Sequence, residues 1–170
     1  AEVIKQQANP DVVKEVADTF KLVYTPLHGS GYRLVPEVLR RIGFKAENIL
    51  TVPEQMILDG DFPTVEKPNP EFKSSFNLGL EIAKKENCDL IIGTDPDADR
   101  MGIMLRKPDG EYITITGNQA GALMLDYIIK NRREKGTLPE NAYAVKSIVS
   151  TSLCDKICEK NNVKMYNVFT

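Results

Sequence analysis

The sequence contains no tryptophan, few other aromatic residues and no long apolar run. Its 170 residues include six tyrosines and six phenylalanines. No apolar run reaches the length of about 18 residues that a membrane-spanning helix needs. Basic residues are not in excess, because 22 Lys and Arg residues stand against 24 Asp and Glu residues and give a net charge of −2. We therefore expect neither a nucleic-acid partner nor a membrane partner.

Cysteine is also rare, with residues at only Cys88, Cys154 and Cys158. Their number is odd and their spacing does not fit a metal site, so the pattern predicts reduced thiols in the core rather than a disulfide or a zinc site. The amino end, residues 1–7, is polar and helical in character and does not resemble a signal peptide. Together these features predict a cytoplasmic location.

The most informative segment is an acidic loop between two apolar runs, which are typical of buried strands. It carries Asp95, Asp97 and Asp99, followed directly by Arg100. Residues two apart in an extended segment point to the same side, so we expect the three carboxylates to converge. Like charges at close range need a counter-charge, and Mg²⁺ prefers oxygen ligands and keeps positions open for water or phosphate. The Arg100 guanidinium suits phosphate binding, so the loop predicts phosphoryl-transfer chemistry.

Three other kinds of site or turn contain similar acidic spacing. A solvated surface turn also contains aspartate and proline, but it rarely places three alternating carboxylates at the end of a buried strand. A calcium loop of the EF-hand type requires Gly at its sixth position and Glu at its twelfth, where this chain has Arg100 and Arg106. A phosphatase that uses Asp95 as nucleophile with Mg²⁺ stays open.

Strand patterns and helix patterns alternate along the chain, which predicts an α/β fold with mixed, largely parallel sheets flanked by helices. Asn9 and Pro10 indicate a helix start, with Asn9 as the cap. A long loop covers 53–70, and a domain boundary near 114–117 divides the chain into 1–114 and 115–170. The predicted strands cover 20–24, 49–52, 89–92, 101–106, 111–116, 142–145 and 163–166, and further helices cover 34–42, 71–86, 120–129 and 151–160.

Two further segments are candidates for substrate binding. In the turn that contains His28 and Gly29, glycines leave backbone amides free to face an anion at a helix start, although glycine is also the default residue for any tight connection. His28 is the only histidine, and a lone histidine is more often structural than catalytic. Lys146 follows a predicted strand, where binding crevices of α/β sheets lie, although a lone lysine is usually only solvated.

With these residues in view, the chain resembles the α-D-phosphohexomutases, the phosphoglucomutase/phosphomannomutase family. The family's magnesium loop, Asp-x-Asp-x-Asp-Arg, is matched by residues 95–100. The turn at 25–31 and the segment 62–71 look most like the phosphoglucomutase branch that also contains phosphopentomutases. The resemblance implies a phosphoglucomutase-like domain repeat, in which 1–114 is similar to domain 2 and 115–170 to the start of domain 3.

Parts of the family pattern are missing from this sequence. The catalytic serine loop of the first domain, the sugar-specificity loop of the third and the phosphate-binding fourth domain are not found. We therefore expect a fragment whose partners are a phosphosugar substrate and the missing domains 1 and 4 of the same protein, and which is inactive alone.

The resemblance also implies a mechanism for the parent protein. It would interconvert sugar 1-phosphate and 6-phosphate, with glucose as the expected sugar, through a phosphoserine enzyme and a bisphosphorylated intermediate. The implied cofactors are Mg²⁺ and glucose 1,6-bisphosphate. A Mg-dependent phosphatase and a non-catalytic phosphosugar-binding module stay as alternatives. The implied site residues are Asp95, Asp97 and Asp99 as metal ligands, Arg100 and Lys146 as catalytic residues, and His28, Gly29 and Lys146 as substrate-binding residues.

Overall fold

The structure, a computed structural model, describes residues 9–170, and this part of the chain forms two compact units that divide between Ile115 and Thr116. The polar amino end considered above, residues 1–7, lies outside the described residues. Within residues 9–170, no helix combines the length and the apolar character needed to cross a bilayer.

A five-stranded mixed sheet organises the first unit, in the order β2-β1-β3-β4-β5. β1 pairs in parallel with β2 and β3, whereas the pairs β3–β4 and β4–β5 are antiparallel. The expected mixed α/β fold is confirmed, and the strand ends differ from the predicted ones by at most two residues. The strands are β1 (Leu22–Thr25), β2 (Ile49–Thr51), β3 (Leu90–Thr94), β4 (Met101–Arg106) and β5 (Tyr112–Ile115).

The parallel pairing of β1 and β3 positions the site. Thr25, the last residue of β1, is in register with Gly93 near the end of β3. Because the carboxyl ends of parallel strands lie at the same sheet edge, the turn after β1 and the acidic loop after β3 are neighbours. The Phe76 ring packs directly against the backbone of Gly93, where any side chain would clash, since a Cβ at Gly93 would lie 2.9 Å from Cε1 of that ring. The buried core around Phe76 includes Val23, Val52, Ala83, Cys88, Ile91 and Met104.

Within residues 9–115, three α-helices accompany this sheet: α1 (Pro10–Val16), α2 (Gly31–Ile42) and α3 (Asn77–Glu86). Asn9 holds the N-cap position of α1 with Pro10 in the first turn, as predicted, but the Asn9 side chain makes no capping hydrogen bond.

The helix predicted over 71–86 begins later than expected. Its first turn, Lys73–Phe76, is a 3₁₀ turn, and the α-helix starts only at Asn77. The reason is local, because the Asn69 side chain accepts a hydrogen bond from the Glu71 amide and folds this stretch into a turn.

The second unit pairs two parallel strands with two helices. Its elements are α4 (Gly117–Glu134), β6 (Tyr143–Ser147), α5 (Leu153–Lys160) and β7 (Lys164–Val168). α4 extends beyond the apolar run 120–129 at both ends, and Thr116 and Gln119 form a capping box at its start. The small core of the second unit consists of Ile129, Cys158 and Val163. All three cysteines of the chain are buried and free, which confirms the expected thiols.

One face of the β6–β7 pair is packed and the other is not. Ala144 and Met165 pack against the core of the unit. Their neighbours along the strands, Tyr143 and Tyr166, meet edge to face with ring centroids 5.8 Å apart. Side chains alternate across a strand, and the outer face is accordingly apolar and exposed at Tyr143, Val145, Tyr166 and Val168.

Candidate metal centre

The acidic loop is a tight turn between two strands, as predicted, although its residues are not in the extended conformation expected from their spacing. The Asp95 amide donates to the Arg100 carbonyl (3.2 Å), and the Ala98 amide donates to the Asp95 carbonyl (3.0 Å). Ala98 adopts a φ of 61°, in the left-handed region. The turn is required because Thr94 and Met101 are already paired as antiparallel neighbours, so the chain must reverse between them.

The three aspartates nevertheless come together. One carboxylate oxygen each from Asp95, Asp97 and Asp99 lies within 4.8 Å of the other two. Asp95 is buried, whereas Asp97 and Asp99 are exposed, so the cluster opens to solvent on one side. A hard divalent cation with oxygen ligands fits this donor set, and the open side leaves room for water or a phosphate oxygen.

Arg100 holds Asp95 in place within this cluster. Its backbone amide donates to Asp95 Oδ1 (3.0 Å) and its Nε donates to Asp95 Oδ2 (2.7 Å). Burial disfavours the charged carboxylate, but these hydrogen bonds outweigh it and hold the pKa of Asp95 below its ordinary value. The bond to Asp95 uses Nε, so the two terminal amino groups of the guanidinium lie outside this pair.

Asp99 experiences the opposite effect. A hydrogen bond with Asp95, followed by burial and the charge of Asp97, raises the pKa of Asp99 above its ordinary value. Crowded carboxylates behave in this way when no cation balances them. The cluster therefore has the electrostatic character of a cation site.

The turn after β1 packs directly against the acidic loop. A Cβ on Gly29 would lie 2.2 Å from Pro96 Cα, so the two backbones touch. The Ser30 amide and hydroxyl both donate to the Pro96 carbonyl, at 2.7 and 3.0 Å. The Gly29 amide donates to Pro26 (2.9 Å) and the His28 amide to Gln55 (3.0 Å). The amides of His28, Gly29 and Ser30 therefore bond to protein carbonyls and do not face an anion.

His28 is buried within a hydrogen-bonded cluster. Its Nδ1 lies 2.9 Å from the Ile57 carbonyl oxygen, and its Nε2 lies 2.8 Å from Thr64 Oγ1. Because a carbonyl only accepts, Nδ1 carries the proton and Nε2 accepts from the Thr64 hydroxyl. Both ring nitrogens thus contact the 53–70 loop. The side chain of His28, which was predicted to bind substrate, therefore connects that loop to the turn after β1.

Sequence reasoning did not find the contacts that hold Thr94. The Tyr24 hydroxyl lies 2.9 Å from Thr94 Oγ1 in the interior. Gly31 makes room for this pair, because a Cβ there would lie 2.3 Å from the Tyr24 hydroxyl oxygen. The two glycines of the turn were the only local signal of such close packing.

Lys146 belongs to the second unit, whereas the acidic loop belongs to the first. Its Nζ lies 3.1 Å from Asp155 Oδ2 and donates to the Ser150 carbonyl at 3.2 Å. The Lys146 side chain is only 12% exposed. Hydrogen bonds from Asn167 and then from Lys146 hold the pKa of Asp155 below its ordinary value.

Comparison with known sequences gives a consistent result. Residues 1–110 match the family described as "Phosphoglucomutase/phosphomannomutase, alpha/beta/alpha domain II". A phosphomannomutase of Mycoplasmoides pirum is 38% identical over 151 residues, which cover 89% of this chain and 26% of the relative. A phosphoglucomutase of Staphylococcus aureus (strain N315) is 38% identical over 150 residues, which cover 88% of this chain and 26% of the relative. The chain thus spans about a quarter of the length of these curated relatives.

Solved structures show the same fold at low sequence identity. A phosphoglucomutase/phosphomannomutase family protein from Burkholderia thailandensis is 17% identical with a TM-score of 0.67, covering 94% of this chain and 32% of that one. The N-acetylphosphoglucosamine mutase of Aspergillus fumigatus, solved in complex with GlcNAc-6P and magnesium, is 14% identical with a TM-score of 0.57, covering 98% of this chain and 32% of that one.

Proposed function

The chain belongs to the phosphoglucomutase/phosphomannomutase family, and on that premise we propose that it supplies the Mg²⁺-binding loop of a longer phosphohexomutase. The parent would interconvert sugar 1-phosphate and sugar 6-phosphate. The observation that carries this proposal is the convergence of Asp95, Asp97 and Asp99 within 4.8 Å. In this proposal residues 1–114 are domain 2 of the parent and 115–170 are the start of domain 3. The relatives' greater length supports the placement in a longer protein.

The three aspartates would hold the ion, and the buried one contributes differently from the two exposed ones. Asp95 is fixed and ionised by Arg100, whereas Asp97 and Asp99 lie at the exposed side, where a phosphoryl group can approach. Bound Mg²⁺ would supply positive charge that neutralises the oxygens of the transferring group. Arg100 would bind the same phosphoryl oxygens through its terminal amino groups, because its Nε is engaged with Asp95.

The substrate would be a phosphosugar, and we propose glucose as the sugar. Relatives named phosphoglucomutase and phosphomannomutase support a hexose phosphate. The phosphate donor would be a phosphoserine on domain 1, with glucose 1,6-bisphosphate as intermediate and activator, and domain 4 would bind the distal phosphate. The complex of the Aspergillus mutase with GlcNAc-6P and magnesium supports a sugar phosphate and Mg²⁺ as the ligand pair. We also propose a cytoplasmic location.

Lys146 would contact the substrate and assist proton transfer in the assembled protein. Its ammonium group is held between Asp155 and the Ser150 carbonyl, which fixes its position with little exposure to solvent. A lysine positioned in this way can donate to a sugar hydroxyl or phosphate oxygen.

The alternative of an aspartyl phosphatase is disfavoured by one observation. Asp95 would be its nucleophile, but the Asp95 side chain is only 1% exposed. A nucleophile must be reached by the phosphorus atom of a substrate, whereas a small ion needs only one of the roughly four lone-pair sites of a carboxylate. The environment of Asp95 is instead that of a structural ligand.

Metal binding to this chain tests the proposal. We expect isothermal titration with Mn²⁺ or Mg²⁺ to show one site, and Asp97→Asn to weaken it by about tenfold or more, since it removes an anionic ligand. Asp109→Asn is the matched control, because Asp109 is an exposed aspartate in the Lys107–Gly110 turn and should leave the affinity unchanged. Equal affinity in the wild-type chain and Asp97→Asn would refute the assignment of the loop.

A further inference from the structure

Ser30 makes a contact that its place in the helix does not require. It holds the N-cap position of α2, where a serine hydroxyl ordinarily accepts a hydrogen bond from an amide of the first turn. No side-chain capping bond is formed there. Instead the hydroxyl and the amide of Ser30 both donate to the Pro96 carbonyl. The Ser30 side chain therefore bonds to the acidic loop and does not cap its own helix.

Pro96 connects the turn after β1 to the proposed metal ligands Asp95 and Asp97. It lies between Asp95 and Asp97, and its carbonyl faces the turn after β1. The other backbone bonds described above for this loop, from the Asp95 amide and from the Ala98 amide, close the loop on itself. They set its shape, but neither of them restrains the Pro96 carbonyl, so a second restraint on that carbonyl has to come from outside the loop. The bonds from Ser30 supply that second restraint.

The loop needs such a restraint because its charges oppose the arrangement that it adopts. Three carboxylate oxygens lie within 4.8 Å of one another, and their mutual repulsion favours opening of the turn when no cation is bound. Asp97 and Asp99 are exposed and can swing outward. Two hydrogen bonds on Pro96, directly before Asp97, limit that movement.

We propose that Ser30 is a positioning residue for the metal centre, whose hydroxyl holds the Pro96 carbonyl and thereby keeps Asp97 within reach of Asp95. This inference rests on the proposed function, in which these carboxylates bind Mg²⁺. Ser30 itself touches neither metal nor substrate. A threonine at this position can make the same bond, whereas an alanine cannot.

The test is the affinity of the chain for Mn²⁺, measured by electron paramagnetic resonance as loss of the free-ion signal. Ser30→Ala should weaken binding by about tenfold, the low end for groups outside the ligand shell, and Ser30→Thr should restore it. Ser74→Ala is the matched control, because Ser74 is also an exposed serine in the 3₁₀ turn before α3. The urea midpoint should hardly differ among these variants, because Ser30 is exposed and its hydroxyl fills no cavity.

The outcomes distinguish failure of this inference from failure of the proposed function. If the wild-type chain and Ser30→Ala bind Mn²⁺ equally while Asp97→Asn does not, the positioning role fails and the metal centre stands. If the affinity falls in Ser30→Ala and is not restored in Ser30→Thr, the hydroxyl is not the cause and the inference is overturned. If the wild-type chain binds no Mn²⁺, the metal centre fails and the inference fails with it.

Discussion

Single residues at this site divide into those that carry charge and those that let two backbones meet. Asp97 and Asp99 are exposed carboxylates whose negative charge can attract a cation. Gly29 is buried against Pro96, and its role is to have no side chain, so that the two backbones can touch. The second kind tolerates substitution least, because a clash with backbone atoms cannot be relieved by a rotamer change.

Gly29→Ala should therefore destabilise the protein. The added Cβ would lie 2.2 Å from Pro96 Cα and 2.4 Å from the Pro96 carbonyl oxygen, and overpacking of this kind costs about 1–3 kcal/mol. Urea unfolding followed by circular dichroism measures the effect. Gly60→Ala is the control, since a Cβ at Gly60 meets nothing within 4 Å. Similar midpoints for the two variants would contradict the close contact.

The residues of the site differ in how far sequence could predict them. The aspartates and Arg100 lie within six consecutive positions, so their chemistry is visible as a local pattern. Ser30 and Pro96 lie 66 positions apart, and no local signal relates a serine after a glycine to a distant proline carbonyl. His28 illustrates a third case, because its burial and its contact with Thr64 depend on where the 53–70 loop folds back.

At the level of elements, sequence patterns located each strand but not each helix start. Strands follow from short apolar runs between turn residues, which are local. The start of α3 depends on a competition between helix and turn, and Asn69 decides it through the bond from the Glu71 amide. The turn at residues 95–100 is expected from the two apolar runs around it, whereas the antiparallel pairing of β3 with β4 that closes it depends on both strands together.

The end of α3 provides a prediction at this level. Asn87 closes the helix in the left-handed conformation, with φ of 55° and ψ of 47°. Asn87→Gly should raise the free energy of unfolding by about 0.5 kcal/mol, because glycine has no Cβ penalty there. Asn87→Val should lower it by about 1–2 kcal/mol for the opposite reason. Thermal denaturation of the two variants tests this, and a stabilised valine variant would contradict it.

At the level of the whole molecule, the two units differ in how completely their sheets are covered. The first unit has an interior strand, β1, that is buried along its whole length. In the second unit, β6 and β7 are partly or fully exposed at every position. A sheet of two strands is also close to the lower limit for independent stability.

Hydrogen exchange should separate the units. Backbone amides in β6 and β7 should exchange by local opening, well before those in β1 and β3, because fewer buried contacts oppose the opening. Mass spectrometry of peptides from 143–147 and 164–168, compared with 22–25 and 90–94 in the same sample, measures this. Equal protection of the two sets would show that the second unit is as stable as the first.

The exposed outer face of β6 and β7 has a practical consequence for handling the protein. Tyr143, Val145, Tyr166 and Val168 present apolar surface, and a net charge of only −2 gives little repulsion between molecules. Sulfate and other strongly hydrated salts increase the cost of hydrating apolar surface, so this chain should salt out early. Purification is better planned around low-sulfate buffers and dilute samples than around ammonium sulfate fractionation.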